Sequence, residues 1–281
     1  MEYNKEIKTL TIPYDFNEEL KDIPNDTQII IFEYLRYSKF NQKVDNLPKN
    51  LTHLTFGYDF NKPVNFLPHN LTHLTFGDYF NQKVDNLPKN LTYLSFTDYF
   101  NQKVDNLPKN LTHLTFGDYF NQKVDNLPKN LTYLSFIGLF NQKVDNLPKN
   151  LTHLSFTGNF NQKVDNLPKN LTHLTFSDLF NQKVDNLPKN LKYLKIKWKF
   201  NNFIILPQSL KKLSLTCNNN LINNISEHIE KVYIYFFHDD KYNTKIENLP
   251  PTIKEIIIED EKYKKYLKIP FGCILTIKNI E

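Results

Sequence analysis

Alanine, the strongest helix former, occurs nowhere in the 281 residues, and glycine only 6 times, against 15 prolines that interrupt helices. This excludes a helical bundle and argues against a doubly wound sheet. No run of about 18 apolar residues exists, which excludes a transmembrane helix. The start of the chain alternates charged and apolar residues and has no continuous apolar stretch of the secretory type. Only Cys217 and Cys273 are present, too few and too far apart for a disulfide framework or a metal spacing. The expected state is two reduced thiols in a cytoplasmic chain. Arginine is nearly missing, since Arg36 is the sole one among 35 basic residues. With 30 acidic residues the net charge is +5, too mild to define a nucleic-acid or membrane binder.

What is abundant is aromatic: 23 Phe and 16 Tyr with a single Trp. That is core material, and it is laid out periodically. Phe40-Asn41 returns at Phe60, Phe80, Phe100, Phe120, Phe140, Phe160, Phe180 and Phe200, always after 20 residues, which gives eight near-identical copies over 40–199. Divergent copies flank them in 1–39 and 200–281. Upstream, Ile7, Leu10, Ile12 and Phe16 repeat the spacing of Leu51, Leu54, Phe56 and Phe60. Downstream lie Leu206-Pro207 with Leu210, Leu213 and Leu215; Ile229, Val232 and Ile234; Leu249-Pro250 with Ile253, Ile256 and Ile258; and Ile269-Pro270 with Ile274 and Ile277. The divergent copies changed nearly every other residue but kept apolar ones at these offsets, as a packed interior requires.

Within a copy, Leu111-Thr112-His113-Leu114-Thr115-Phe116 alternates apolar and polar at its end. It reads as a short strand with Leu114 and Phe116 inward and Thr115 outward. Pro108 suits the extended approach to it, where no ladder N–H is needed. Twenty residues leave no room for a full return helix, so the return is extended or a brief 3-10 turn. One copy cannot bury enough apolar surface alone, whereas a column of copies shares both faces. The expected architecture is a single β-solenoid over 1–281, a right-handed coil of the leucine-rich-repeat kind with one short parallel strand per repeat. The charged stretch from Glu259 to Lys268 is a candidate polar cap.

Phe-Asn followed by Leu-Pro-x-x-Leu-x-x-Leu-x-Phe, met in register from about Ile7 to Ile277, resembles the FNIP repeat, itself similar to leucine-rich repeats. The resemblance implies a solenoid, and an origin among social amoebae or amoeba-infecting giant viruses.

Three surface columns follow from the period. The asparagines after each Phe (Asn41, Asn61, Asn81, Asn101, Asn121, Asn141, Asn161, Asn181 and Asn201) are expected to stack into a structural ladder, their amides bonding backbone at a corner. Outward on the strands run His53, His73, Tyr93, His113, Tyr133, His153, His173 and Tyr193, planar and amphipathic, the type of surface used for recognition. The third column is the triplet after each strand, where the central copies disagree. It contains Tyr79, Tyr99 and Tyr119, and such a rim suits partner selection. Together the His/Tyr column and the rim are the candidate partner-binding surface for a protein. An alternative basic patch, Lys192, Lys195, Lys197, Trp198, Lys199, Lys211 and Lys212, suits a nucleic acid or another acidic partner.

No paired carboxylates, phosphate loop or nucleophile–base grouping stands out, and the histidines lack recurring third and fourth ligands for zinc. The expectation is a non-enzymatic scaffold with no catalytic residues, no metal and no cofactor. A monomer is favoured.

Overall fold

The computed structural model describes every residue except 34, 198 and 279–281. The described residues form two compact units, Met1–Leu151 and Thr152–Glu281. The first carries β1 (Glu2–Asn4), β2 (Thr9–Ile12), β3 (Ile29–Phe32), β4 (His53–Thr55), β5 (His73–Thr75), β6 (Tyr93–Ser95), β7 (His113–Phe116) and β8 (Tyr133–Phe136). β1 runs antiparallel to β2, with Tyr3 opposite Leu10. From β2 onward each strand of this unit lies parallel to the next in sequence. Register steps by one repeat: Leu54 faces Leu74, Leu74 faces Leu94, and Leu94 faces Leu114.

The second unit carries β9 (His153–Phe156), β10 (His173–Thr175), β11 (Tyr193–Lys195), β12 (Lys212–Thr216), β13 (Lys231–Tyr235), β14 (Glu255–Ile258) and β15 (Ile274–Ile277). They too pair in parallel and in chain order, with Leu194 opposite Leu213, Leu213 opposite Val232, and Val232 opposite Ile256. The fold is a β-solenoid built from roughly 20-residue turns.

Two tight turns close each repeat. The carbonyl of Pro48 accepts the N–H of Leu51, and Pro68, Pro88, Pro108 and Pro128 do the same for Leu71, Leu91, Leu111 and Leu131. Proline has no N–H to strand there, and it holds the preceding leucine extended. After the strand, the carbonyl of Gly57 accepts the N–H of Phe60, and the step recurs from Phe80 to Gly77 and from Phe120 to Gly117. The return between the turns is extended in the central copies. Single 3-10 turns appear in divergent ones, at Leu35–Tyr37, Asn220–Asn224, Asp240–Tyr242 and Glu261–Tyr266.

The interior of each coil holds the same set of side chains. Phe100, Val104, Leu107, Leu111, Leu114 and Phe116 are all buried. Each central coil contributes two stacked phenylalanines, such as Phe56 and Phe60 with ring centroids 3.7 Å apart, and Phe60 continues onto Phe80 at 6.1 Å. The second unit repeats the arrangement with Phe156 and Phe160 at 3.8 Å and Phe160 to Phe180 at 6.1 Å.

Four placements differ from the sequence pattern. Ile7 is 61% exposed, because it precedes β2 in the connection from β1 rather than entering the interior. Thr27 takes the place of Leu51 in its own copy: its N–H bonds the Pro24 carbonyl and its side chain is fully buried, with no partner for its hydroxyl. In the last copy the register is one residue off, so that Leu275 faces Ile256 while Ile274 faces Glu255 and lies outward, 65% exposed. The stretch from Glu259 to Lys268 is no end cap; it is the connection between β14 and β15 and buries Tyr263.

Candidate interaction surface

At the corner after each Phe, the asparagine side chain takes over where the strand ladder has ended. Asn41 Oδ1 accepts the backbone N–H of Asn61 at 3.0 Å, and the same bond links Asn61 to Asn81, Asn81 to Asn101, Asn101 to Asn121 and Asn121 to Asn141. Asn17 Oδ1 serves Asn41 in the same way. The second unit has the bond from Asn161 to Asn181 and from Asn181 to Asn201. The glutamines one residue on reinforce it: Gln82 Nε2 donates to Asn61 Oδ1 at 2.9 Å, and Gln102 Nε2 to Asn81 Oδ1 at 3.0 Å. Asn61 and Asn81 thus use both lone pairs of the side-chain oxygen, one on backbone and one on side chain, while Lys62 stands where a glutamine would serve Asn41.

On the opposite corner, Asn110 Nδ2 donates to the Lys89 carbonyl and Asn130 Nδ2 to that of Lys109. In the first unit the Asp column in Lys-Val-Asp-Asn is held by amides, with Asn106 Nδ2 donating to Asp85 and Asn126 Nδ2 to Asp105, both at 3.1 Å, whereas in the second unit Asp185 pairs with Lys183 at 2.8 Å.

The planar residues of the strands do stand in a column on the outer face. His53 and His73 stack at 4.2 Å, His73 and Tyr93 at 5.6 Å, Tyr93 and His113 at 6.2 Å, and His113 and Tyr133 at 5.7 Å. In the second unit His153 and His173 stack at 4.2 Å and Tyr193 follows at 5.9 Å, tilted. The hydroxyl before each histidine orients the ring. Thr72 Oγ1 lies 3.1 Å from the Thr52 carbonyl oxygen and 2.9 Å from His73 Nδ1. That contact holds the imidazole through Nδ1 and leaves Nε2 without a bond to the threonine. Thr52, Thr112 and Thr172 fix His53, His113 and His173 identically. The column therefore offers hydrogen-bonding nitrogens on oriented rings. Burial, then the neighbouring His53, hold the His73 imidazole below its usual pKa; burial and His153 do the same to His173. Among the described residues no group of three or more His, Cys, Asp or Glu side chains is arranged to hold a metal ion.

The rim of the first unit is a second aromatic column. Tyr79 and Tyr99 stack at 5.0 Å and Tyr99 and Tyr119 at 4.8 Å, within 8° of parallel, while Tyr58 meets Tyr79 edge-on at 4.9 Å. The sequence shows these tyrosines but not that their rings form one stack; the 20-residue spacing of Tyr79, Tyr99 and Tyr119 is the signal. The next rim triplet changes shape as well as chemistry: Gly138 has φ +66°, and a Cβ there would sit 2.4 Å from the Asp118 carbonyl oxygen. Rim variation therefore alters the turn itself.

The basic patch is partly neutralised. Lys197 pairs with Asp178 at 2.9 Å and Lys211 with Glu230 at 3.1 Å. Lys195 lies half-buried with Nζ 4.9 Å from the Tyr235 ring, and burial followed by Lys197 lowers its pKa. Lys192, Lys199 and Lys212 are exposed, and Trp198 lies outside the described residues. Beside them is a cluster the sequence did not reveal, in which Tyr193 Oη donates to the fully buried Ser214 at 3.2 Å.

A coil of short parallel strands with extended returns, a buried Leu/Phe interior and an asparagine corner defines a solenoid of the leucine-rich-repeat kind. The FNIP repeat model matches residues 40–79, 63–99, 100–138, 140–179 and 180–218, and the chain belongs to that family. Among solved structures it is similar to that of CroV588, a giant-virus protein described as a novel circular LRR structure, with a TM-score of 0.73 and 34% identity over 98% of this chain and 50% of that one. It also resembles YopM from Yersinia enterocolitica, with a TM-score of 0.54 and 21% identity over 89% of this chain and 60% of that one. The chain thus spans half the length of CroV588. No curated protein matches it. Among the described residues no helix is long and apolar enough to cross a membrane.

Proposed function

We propose that the chain is a non-catalytic scaffold that binds a protein along the strand face and the adjoining rim. The observation that carries this reading is the column of stacked His and Tyr rings, each histidine fixed by a threonine. Its rings are already ordered, so binding loses little side-chain entropy there. Tyr99 and Tyr119 on the rim add exposed aromatic surface of the type enriched at interface hot spots. Leucine-rich-repeat-like scaffolds are typically protein-binding, which agrees. The two free thiols, Cys217 being buried, suit a reducing compartment such as the cytoplasm.

The test is capture from an amoebal lysate by the wild-type chain and by a variant with His113→Ala, Tyr99→Ala and Tyr119→Ala. All three side chains are exposed, so the variant folds with a nearly unchanged melting curve, and it loses the captured partner. Undiminished capture by the folded variant rejects this surface.

A further inference from the structure

We infer that the rim of the first unit is a docking site for a basic helical segment of a partner protein, an assignment that rests on the protein-binding role proposed above. The rim joins two features that ask for the same occupant. One is the tyrosine stack. Its parallel rings cover one another's faces, and Tyr79, Tyr99 and Tyr119 each remain about four-tenths exposed or more. Past Tyr119 the strip continues as Leu139, whose N–H bonds the Asp118 carbonyl and whose side chain is 45% exposed.

The other is a carboxylate column. Asp78, Asp98 and Asp118 each precede one of these tyrosines, and successive turns stack through backbone bonds from Tyr99 to Asp78 and from Tyr119 to Asp98, at 2.9 and 2.8 Å. Asp98 lies between two like charges, and burial together with Asp78 and Asp118 raises its pKa, with only Arg36 opposing. The corner aspartates of the repeats, such as Asp85, receive an amide from the next coil. On a chain of net charge +5 this rim is a local negative stripe. Lysines or arginines presented beside an apolar face relieve that repulsion while covering the tyrosine edges and Leu139.

Spacing selects a helix. The stacked rings repeat every 4.8–5.0 Å. A helix advances about 5.4 Å per turn and stays nearly in step over these rungs. Same-face residues of an extended strand are about 6.6 Å apart and fall out of step after one.

The probe is a synthetic Leu/Lys amphipathic helix of about 18 residues with lysines at i, i+4 and i+7. It is titrated by fluorescence anisotropy against the wild-type chain and against the Asp78→Asn, Asp98→Asn, Asp118→Asn variant. Binding to the wild type, weakened about tenfold or more in the variant, is the expected result. The variant's melting temperature is equal to the wild type's or higher, since a like-charge column has been removed. A peptide with glutamates for the lysines does not bind, and a scrambled peptide of equal composition binds about tenfold more weakly. The assignment is overturned if the basic helix does not bind, if the variant binds it equally, or if the scrambled peptide matches it. Any of these results, combined with loss of lysate capture in the His113/Tyr99/Tyr119 variant, removes the basic-helix assignment and leaves the protein-binding role standing. Undiminished capture in that variant removes the role itself.

Discussion

Two side-chain types, asparagine and histidine, carry repeated polar and stacking contacts from coil to coil. The asparagine corner is the more structural of the two. Asn81 Oδ1 is the acceptor for the Asn101 N–H and for Gln102 Nε2. In the Asn81→Ala variant both donors lose this partner at a partly buried corner, which costs about 1 kcal/mol and lowers the melting temperature measured by circular dichroism. Histidine sets a pH dependence. The folded-state pKa values of His73 and His173 lie below the ordinary value of 6.5, so the unfolded chain binds protons more readily than the folded one. Stability is therefore full above that ordinary value and declines as the pH falls through it toward the lowered pKa. Thermal melts at neutral and mildly acidic pH should show this decline, and replacing both histidines by glutamine should flatten it. A melting temperature independent of pH across that window would refute the stacking argument.

At the scale of the coil, the paired phenylalanines decide stability. Phe100 packs on Phe96 at 3.7 Å and touches coils on both sides through Phe80 and Phe120, each at 6.1 Å. Its truncation leaves a cavity that the stacked rings cannot close without losing one another. Phe100→Ala should destabilise by about 3–5 kcal/mol, seen as a lower denaturant midpoint. The strand was legible in Leu-Thr-His-Leu-Thr-Phe because one face is buried and the other is not. The rim turn was less so: its residues vary, and Gly138 adopts a left-handed conformation that Asp98, at the corresponding position, does not. Register in the last copy was likewise hidden, because Ile274 and Leu275 are both apolar and only pairing with β14 shows which of them faces inward.

At the scale of the molecule, a repeat array has nearest-neighbour energetics. Each coil depends on those it touches, so removing one whole coil shortens the column without breaking its pattern. Deleting residues 100–119 rejoins Tyr99 to Phe120-Asn121, the same junction that Phe100-Asn101 made. The shortened chain should keep the circular-dichroism spectrum per residue and melt cooperatively at a lower temperature. Loss of the spectrum would show that the copies are not interchangeable. The ion pairs contribute less to this scale than their number suggests: Lys183–Asp185 and Lys254–Glu230 are largely exposed, where water and salt screen the attraction.

The period, the inward residues of the central copies and the family were determined by the sequence alone, because a 20-residue repeat of apolar positions has few ways to bury itself other than by coil upon coil. Tertiary structure decided what lies between the coils. The stacking of the histidine column, the amides that hold Asp85 and Asp105, and the merging of separate tyrosines into one stack beside a column of carboxylates all depend on a neighbour about twenty residues away in sequence but about 5 Å away in space. No local pattern encodes that distance; it follows only once the strands are paired in register.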